Sequence, residues 1–374
     1  MKDNIRVLIA AGGTGGHINP ALGTAGYIKE KHPDAEILFV GTKDKMEARL
    51  VPAAGYNIKY IKIQGFYRSF KPEDIKHNIK TLLMLMTVTS SVKKIIKEFK
   101  PDLVIGFGGY VSGPVLRTAA KMKIPTAIHE QNAFPGVTNK ALAGKVDRVM
   151  LTNEKAAGYM KCKNPYKVTG LPVRGDLLKA NADEAIKELD LGGKPLIISM
   201  GGSLGAKPIN DAIFGLLKAK QNDDDCVFLH ATGKGSYENF LKRLDDDGID
   251  ISKNSNIRIS EYLDMPKCMP AADLVISRSG ASTLSELQAL GKASILIPSP
   301  YVAENHQYHN AMALVDNDAA MIIEEKDLTP EKLTETVNSL LSKPDRLKEI
   351  GKNARDMAVI DATDRIYETL CEIV

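Results

Sequence analysis

The sequence predicts an α/β protein built from two Rossmann-like, doubly wound parallel-sheet domains that face a cleft. Three observations carry this reading. Short apolar runs alternate with longer helical patterns along the whole chain. The runs are near-continuously apolar rather than alternating, as parallel strands covered on both faces require. Both halves open in the same way, with a strand, a glycine-rich turn and a helix.

In the first half the strand runs are IRVLIAA (5–11), EILFVG (36–41), NIKYIKI (57–63), DLVIGF (102–107), PTAIHE (125–130) and DRVMLT (147–152). In the second they are PLIISMG (195–201), CVFLHAT (226–232), NIRISEY (256–262), DLVISR (273–278) and ASILIPS (293–299). The repeated opening turns are AGGTGGHINP (11–20) and GGSLGAKPIN (201–210). Between the halves GLPVRGD (170–176) has the glycine and proline character of a linker. The expected domains are therefore 1–170 and 171–356, with a C-terminal helix over about 357–374 rejoining the first. A length of 374 residues, more than one core usually supports, agrees with two domains.

Composition narrows the setting. Four scattered cysteines, with no Cys-x-x-Cys or Cys/His spacing, suit a reducing cytoplasm and argue against disulfides or a structural zinc. The apolar run near the N-terminus is a strand's length and ends in glycines, so it is expected to be a strand rather than a signal peptide. No run of about 20 apolar residues is present to span a bilayer. Net charge is only +4, but its distribution is uneven. Through Gly175 the chain holds 28 Lys and Arg against 13 Asp and Glu; beyond it, 22 against 33. The basic first half is expected to work near something anionic.

Glycine turns that lead into helices expose backbone N–H groups at the positive end of the helix dipole and favour phosphate. An NAD site is disfavoured on two counts. From Gly13 the G-x-G-x-x-G pattern meets Ile18 where glycine is needed, and the second strand ends in Gly41-Thr42 without an acidic residue for the ribose. A Walker loop fails too, since Gly291-Lys292 is followed by Ala293. A third cluster, GFGGYVSGP (106–114), and the polar burst HEQNAFPGVTNK (129–140) follow strands and are placed for function.

The segment RSGASTLSELQALG (278–291) reads as a loop opening a helix, with N–H groups and hydroxyls for a diphosphate. Glu286, near the start of that helix, has two readings. Its carboxylate can accept both hydrogen bonds of a ribose diol, or it can close a capping box with Thr283. Asn305-His306-Gln307 supplies amide and imidazole groups one strand later. Two Asp-x-Asp triplets, 223–225 and 245–247, sit in charged sequence and read as solvated acid. No metal and no other cofactor is expected.

The set GGTGGH (12–17), GFGGYVSGP (106–114), HEQN (129–132), GGSLGA (201–206), RSGASTLSE (278–286) and NHQ (305–307), in this order and spacing, resembles the MurG family of peptidoglycan N-acetylglucosaminyltransferases, of GT-B architecture. The resemblance spans nearly the whole chain. It implies inverting transfer of N-acetylglucosamine from UDP-N-acetylglucosamine to the 4-hydroxyl of the muramoyl-pentapeptide of lipid I, the undecaprenyl-diphosphate-linked acceptor. The product would be lipid II.

Carried onto this chain, the donor site would use Arg174, Ser203, Tyr262 through its backbone, Ala281, Ser282, Thr283, Leu284, Ser285, Glu286 and Gln307. Thr14, Gly15, Gly16 and Asn132 would complete it. The acceptor diphosphate would rest on Gly13, Gly15, Gly108, Gly109, Tyr110 and Ser112. His17 is the favoured base, with His129 and Glu130 as rivals. His306 stands where relatives can carry glutamine.

The resemblance also implies a peripheral place on the cytoplasmic face of the bacterial membrane, against anionic lipid, with cell-wall synthesis proteins as partners and no nucleic acid. Phe66, Tyr67, Phe70, Lys71, Lys76 and Lys80, followed by an apolar stretch, suit an interfacial helix. Rival readings are another GT-B transferase, a UDP-N-acetylglucosamine 2-epimerase, an NAD(P)-dependent oxidoreductase and a non-catalytic nucleotide-sugar binder.

Overall fold

The computed structural model describes residues 1–65, 72–202, 204–252 and 254–374, with backbone alone at 72, 74–83, 85 and 86. The chain forms two compact units, Met1–Pro172 with Val359–Val374, and Val173–Ala358.

The first unit is one seven-stranded sheet: β1 (Arg6–Ala11), β2 (Glu36–Gly41), β3 (Asn57–Tyr60), β4 (Leu103–Gly108), β5 (Thr126–Glu130), β6 (Arg148–Leu151) and β7 (Lys167–Val168). Its order is β3-β2-β1-β4-β5-β6-β7, and every paired strand is parallel. The connecting helices are α1 (Gly15–Lys31), α2 (Glu47–Ala53), α3 (Pro72–Phe99), α4 (Gly109–Lys121) and α5 (Val137–Ala143). Parallel pairing explains the apolar runs. Leu8, Val104 and Ile128 face one core layer, while Ile9, Ile105 and Ala127 face the other.

The second unit repeats the plan with six strands, β8 (Leu196–Met200), β9 (Val227–Ala231), β10 (Ile257–Ser260), β11 (Leu274–Ser277), β12 (Ala293–Leu296) and β13 (Met321–Ile322), ordered β10-β9-β8-β11-β12-β13. Its helices are α6 (Gly175–Leu178), α7 (Ala182–Leu189), α8 (Lys207–Lys220), α9 (Tyr237–Asp246), α10 (Met265–Ala271), α11 (Ala281–Leu290), α12 (His306–Val315), α13 (Pro330–Leu341) and α14 (Pro344–Asp356). The strand order reverses between β1 and β4 in one unit and between β8 and β11 in the other. Such switch points are where open α/β sheets bind ligands, beyond the carboxyl ends of the strands.

The last helix, α15 (Ala362–Cys371), belongs to the first unit. Ile366 and Leu370 enter its core, Tyr27 bonds Asp364, and His32 Nε2 meets the Tyr367 hydroxyl at 2.8 Å.

All eleven expected strands are present. The two that the apolar runs did not reveal, β7 and β13, are two-residue edge strands, too short to carry a pattern. Of the proposed membrane segment, Phe66, Tyr67, Phe70 and Lys71 lie outside the described residues, as do the side chains of Lys76 and Lys80. The rest of that segment is helical, and Val88, Val92 and Ile96 of α3 pack into the core. No helix among the described residues is long and apolar enough to cross a membrane.

Candidate active site

At the first switch point β1 runs into Gly12–Gly13 and then α1, while β4 runs into Gly108 and α4. Thr14 is the N-cap of α1 in extended conformation, and Gly15 and Gly16 are its first residues. Helix geometry leaves the first N–H groups of α1 without an intrahelical acceptor, so Gly15 and Gly16 present donors at a positive helix end.

His17 projects from this first turn and is half-buried. Its Nδ1 lies 2.9 Å from the Gly12 carbonyl, with Thr14 Oγ1 at 3.4 Å. A carbonyl only accepts, so Nδ1 carries the proton and Nε2 is the basic nitrogen. The ring lies over Gly108. A Cβ there would come 2.8 Å from His17 Cδ2 and 2.9 Å from Nε2, and Gly108 has φ of 107°. Gly109, φ 79°, passes so close that a Cβ would sit 2.4 Å from the Gly12 oxygen. Both positions therefore need glycine for the imidazole and its acceptor to coexist.

This changes the reading of the acceptor-diphosphate group. The Gly13 N–H donates to Glu47 Oε2 at 2.9 Å. Ser112 is fully buried, donating to the Ala10 and Gly108 carbonyls and accepting from the Gly108 N–H at 3.0 Å. Gly13, Gly108 and Ser112 thus have their polar groups engaged inside the loop, and no N–H or O–H of theirs faces a ligand. Gly15, at the start of α1, with Gly109 and the exposed Tyr110 at the start of α4, remain placed for an anion.

The rival bases fare differently from His17. His129 is fully buried on β5; Nε2 donates to the Gly170 carbonyl at 2.8 Å, and Nδ1 takes the Gln131 amide at 3.2 Å. Burial holds its pKa down to about 4, against the pull of that carbonyl. Glu130 is equally enclosed. Its carboxylate accepts from the Asn132 N–H and Nδ2, the Gly136 N–H and Asn139 Nδ2 at 2.9–3.1 Å. Neither group has a lone pair free for a substrate hydroxyl, so both are corrected from candidate bases to braces. Glu130 ties Asn132 and the loop before α5 to the end of β5.

The second unit holds most of the residues expected for the donor. Gly280, in extended conformation, caps α11, and Ala281, Ser282 and Thr283 form its first turn. Because the cap is Gly280, Thr283 lies inside the helix and the capping-box reading of Glu286 fails. Glu286 lies in the second turn. Burial pushes its carboxyl up to about 7, against the lowering influence of the Arg174 guanidinium and with a further rise from Asp176. Arg174 itself forms a two-bond fork to Asp176 at 3.1 and 2.7 Å. Leu284 and Ser285 are buried, so their side chains pack inward, and the Leu284 N–H is taken by the Gly280 carbonyl at 3.0 Å.

Around α11 the loops are tied together. Ser279 Oγ donates to the Gln307 carbonyl at 2.8 Å, and Asn310 Nδ2 to the Ser279 carbonyl at 3.2 Å. Gln307 Oε1 accepts the Ser299 N–H at 2.9 Å, which turns its amide NH2 the other way. Glu304 and Asn305 before it are both left-handed, at φ 57° and 48°, conformations that cost free energy and gather at functional sites. His306 Nδ1 donates to the Ala303 carbonyl. Tyr262 is exposed, and its carbonyl accepts from Ser260 Oγ at 2.8 Å. Ser203 lies outside the described residues.

Two features had escaped sequence reading. Glu47 lies 34 residues from the glycine it holds. Arg278 pairs with Glu325 in a largely buried ion pair and donates to the Ile297 carbonyl, bracing the loop before α11. The Asp-x-Asp triplets are surface acid. Asp223 and Asp225 receive Lys220, Asp224 receives Lys194, and Asp247 receives Lys218.

Residues 7–151 match the glycosyltransferase family 28 N-terminal domain, and residues 196–366 match the family 28 C-terminal domain. A relative from Acetivibrio thermocellus, named UDP-N-acetylglucosamine--N-acetylmuramyl-(pentapeptide) pyrophosphoryl-undecaprenol N-acetylglucosamine transferase, is 45% identical over 372 residues, 99% of this chain and 98% of its own. A relative of the same name from Thermoanaerobacter sp. is 45% identical over 371 residues, covering 99% and 100%. Among solved structures, that of Acinetobacter baumannii MurG has a TM-score of 0.80 at 29% identity, over 98% of this chain and 99% of that one. Matched in both domains and along nearly its full length, the chain belongs to the MurG family within glycosyltransferase family 28.

Proposed function

We propose that this enzyme transfers N-acetylglucosamine from UDP-N-acetylglucosamine to the 4-hydroxyl of the muramoyl-pentapeptide of lipid I, inverting the anomeric centre and making lipid II. The observation that carries the substrates is the full-length agreement with relatives named for that transfer, at 45% identity.

The geometry supports a mechanism. His17 Nε2 takes the proton of the acceptor 4-hydroxyl, and Nδ1–H, held on the Gly12 carbonyl, keeps the ring in the tautomer this needs. The hydroxyl oxygen bonds to C1 of the donor sugar as the bond from C1 to the diphosphate oxygen breaks on the opposite face. UDP departs with the electron pair. Its growing charge is met by the N–H groups opening α11 and by the Ser282 and Thr283 hydroxyls. Glu286 accepts the ribose diol, and the Gln307 amide serves the sugar hydroxyls. Gly15, Gly16, Gly109 and Tyr110 attend the acceptor diphosphate. In this mechanism charge is handled by helix termini and no metal or other cofactor takes part.

Around this core we place the enzyme peripherally on the cytoplasmic face of the membrane, against anionic lipid, where a lipid-linked acceptor is reached and partners in cell-wall synthesis assemble. The uneven charge of the chain supports this, since the half that includes His17 is the basic one. The test is transfer of radiolabelled N-acetylglucosamine from its UDP form to a soluble short-chain lipid I analogue. A β-1,4-linked product that requires the muramoyl diphosphate is expected. Binding of UDP-N-acetylglucosamine without product would keep the donor site and refute the acceptor.

A further inference from the structure

We propose that Glu47 is a positioning residue for the transfer, acting on His17 through the single peptide group that joins Gly12 to Gly13. The inference rests on the reading of His17 as the base.

The two bonds that carry it belong to one peptide. The Gly12 carbonyl accepts His17 Nδ1–H at 2.9 Å, and the N–H of the same peptide, on Gly13, donates to Glu47 Oε2 at 2.9 Å. In a trans peptide these groups point to opposite edges, so carboxylate and imidazole lie on either side of it. The chain of contacts runs from carboxylate to N–H, through the amide to its oxygen, and on to the imidazolium-forming ring. A carboxylate on the N–H end draws the amide toward its polar resonance form and makes the carbonyl oxygen a stronger acceptor. The direct carboxylate–histidine pair of hydrolases fixes a tautomer and stabilises the protonated ring. Here a backbone amide stands between the partners and passes on both effects.

The setting of Glu47 argues for a role beyond satisfying backbone donors. Its side chain is fully buried at the first position of α2, and no Lys or Arg pairs with it among the described residues. Its other oxygen accepts the Thr42 N–H at 2.9 Å and the Thr42 hydroxyl at 2.7 Å. A neutral side chain or a water could take such donors without burying a charge, which is costly when no cation offsets it. The loop is shaped around the carboxylate as well. A Cβ on Gly12 would lie 2.7 Å from Glu47 Oε1, and one on Gly41 would lie 2.6 Å from its Cγ. The glycine before the relay peptide and the glycine ending β2 leave the space that Glu47 fills. On the far side, Gly109 leaves the Gly12 oxygen accessible to His17.

The test combines spectroscopy on the intact wild-type enzyme with a double-mutant cycle. In wild-type protein, nitrogen-15 spectra should place the neutral imidazole proton of His17 on Nδ1, and the Gly13 amide should be protected from hydrogen exchange although Gly13 is exposed. A proton on Nε2, or an unprotected Gly13 amide, overturns the relay without any variant. In the cycle, Glu47→Gln should lower kcat by roughly 10- to 100-fold with the KM for UDP-N-acetylglucosamine unchanged, and should displace the His17 ring resonances. His17→Ala should lose about 100-fold or more. Glu47→Gln added to His17→Ala should change the residual rate by no more than about two-fold, because its route is already cut. If the two losses multiply, or Glu47→Gln keeps full kcat, Glu47 is only a structural brace and the proposal fails while His17 stands. If His17→Ala keeps its activity, the reading of His17 itself fails, whatever Glu47→Gln does.

Discussion

Replacing Glu286 by glutamine should weaken nucleotide-sugar binding, remove its pH dependence and stabilise the free enzyme, all through one carboxyl group. Burial raises this carboxyl from 4.5 to about 7 in the free protein. A ribose diol donates two hydrogen bonds, so it binds the ionised form. At pH 8 about nine in ten of these groups are ionised and at pH 6 about one in ten, so the wild-type Kd for UDP-N-acetylglucosamine should rise about tenfold over that interval. The donor suits the measurement because its diphosphate, esterified at both ends, keeps a constant charge there.

Stability moves the other way. A folded-state pKa above the unfolded value means that the group favours folding below pH 4.5 and loses that advantage as pH rises through about 7. Above that, the buried carboxylate costs up to about 3 kcal/mol, because each tenfold change in proton affinity is worth about 1.4 kcal/mol. Glutamine keeps the shape without the charge. Glu286→Gln should therefore resist denaturant more strongly at pH 8, with the gain shrinking toward pH 5. Calorimetric titrations and urea unfolding at pH 6, 7 and 8 measure both effects. A wild-type affinity that is flat with pH, or a Glu286→Gln enzyme that keeps both affinity and slope, would refute the placement of this carboxylate against the ribose.

Three further outcomes follow from the geometry. His129 and His230, one in each unit, are buried and held neutral with pKa values of about 4, so the unfolded chain takes up protons that the folded one refuses below about 6.5. Each should cost about 1.4 kcal/mol by pH 5.5 and about 3 kcal/mol by pH 4, read as falling urea midpoints for both domains. Gly108→Ala should push the His17 ring from its place and lower kcat by about 100-fold, while UDP binding, measured by its thermal shift, is retained. Glu325→Gln strands the Arg278 charge, so it should cost about 3–5 kcal/mol in unfolding free energy and weaken UDP binding; an unchanged urea midpoint would refute the bracing role.

Much of the fold was legible because parallel strands buried on both faces must be apolar along their length. Eleven runs therefore announced eleven strands, while β7 and β13, two residues each at sheet edges, left no such trace. The site was legible to the same depth. The glycine turns, His17 and the residues opening α11 are local signals, since a turn that opens a helix is made by neighbours in sequence. What those residues do with one another is not local. Sequence spacing favoured His17 but kept His129 and Glu130 as rivals, because all three follow or end apolar strands. Sequence spacing also left Glu286 divided between cap and ligand, and the start of α11 at Ala281 removes the cap.

The sequence by itself determined the two parallel-sheet domains, the positions of the glycine-rich turns that open helices and the family, for these depend on periodicity and on contiguous motifs. Only the tertiary structure decided which polar groups remain available to a substrate. His129 is closed off by Gly170 and Gln131, Glu130 by Asn132, Gly136 and Asn139, and Ser112 by Ala10 and Gly108. Glu47 reaches Gly13 across 34 residues because β2 lies beside β1 in the sheet. Hydrogen-bond satisfaction and burial are properties of packing between segments distant along the chain. Residue type and spacing therefore name the candidates, and the folded contacts select among them.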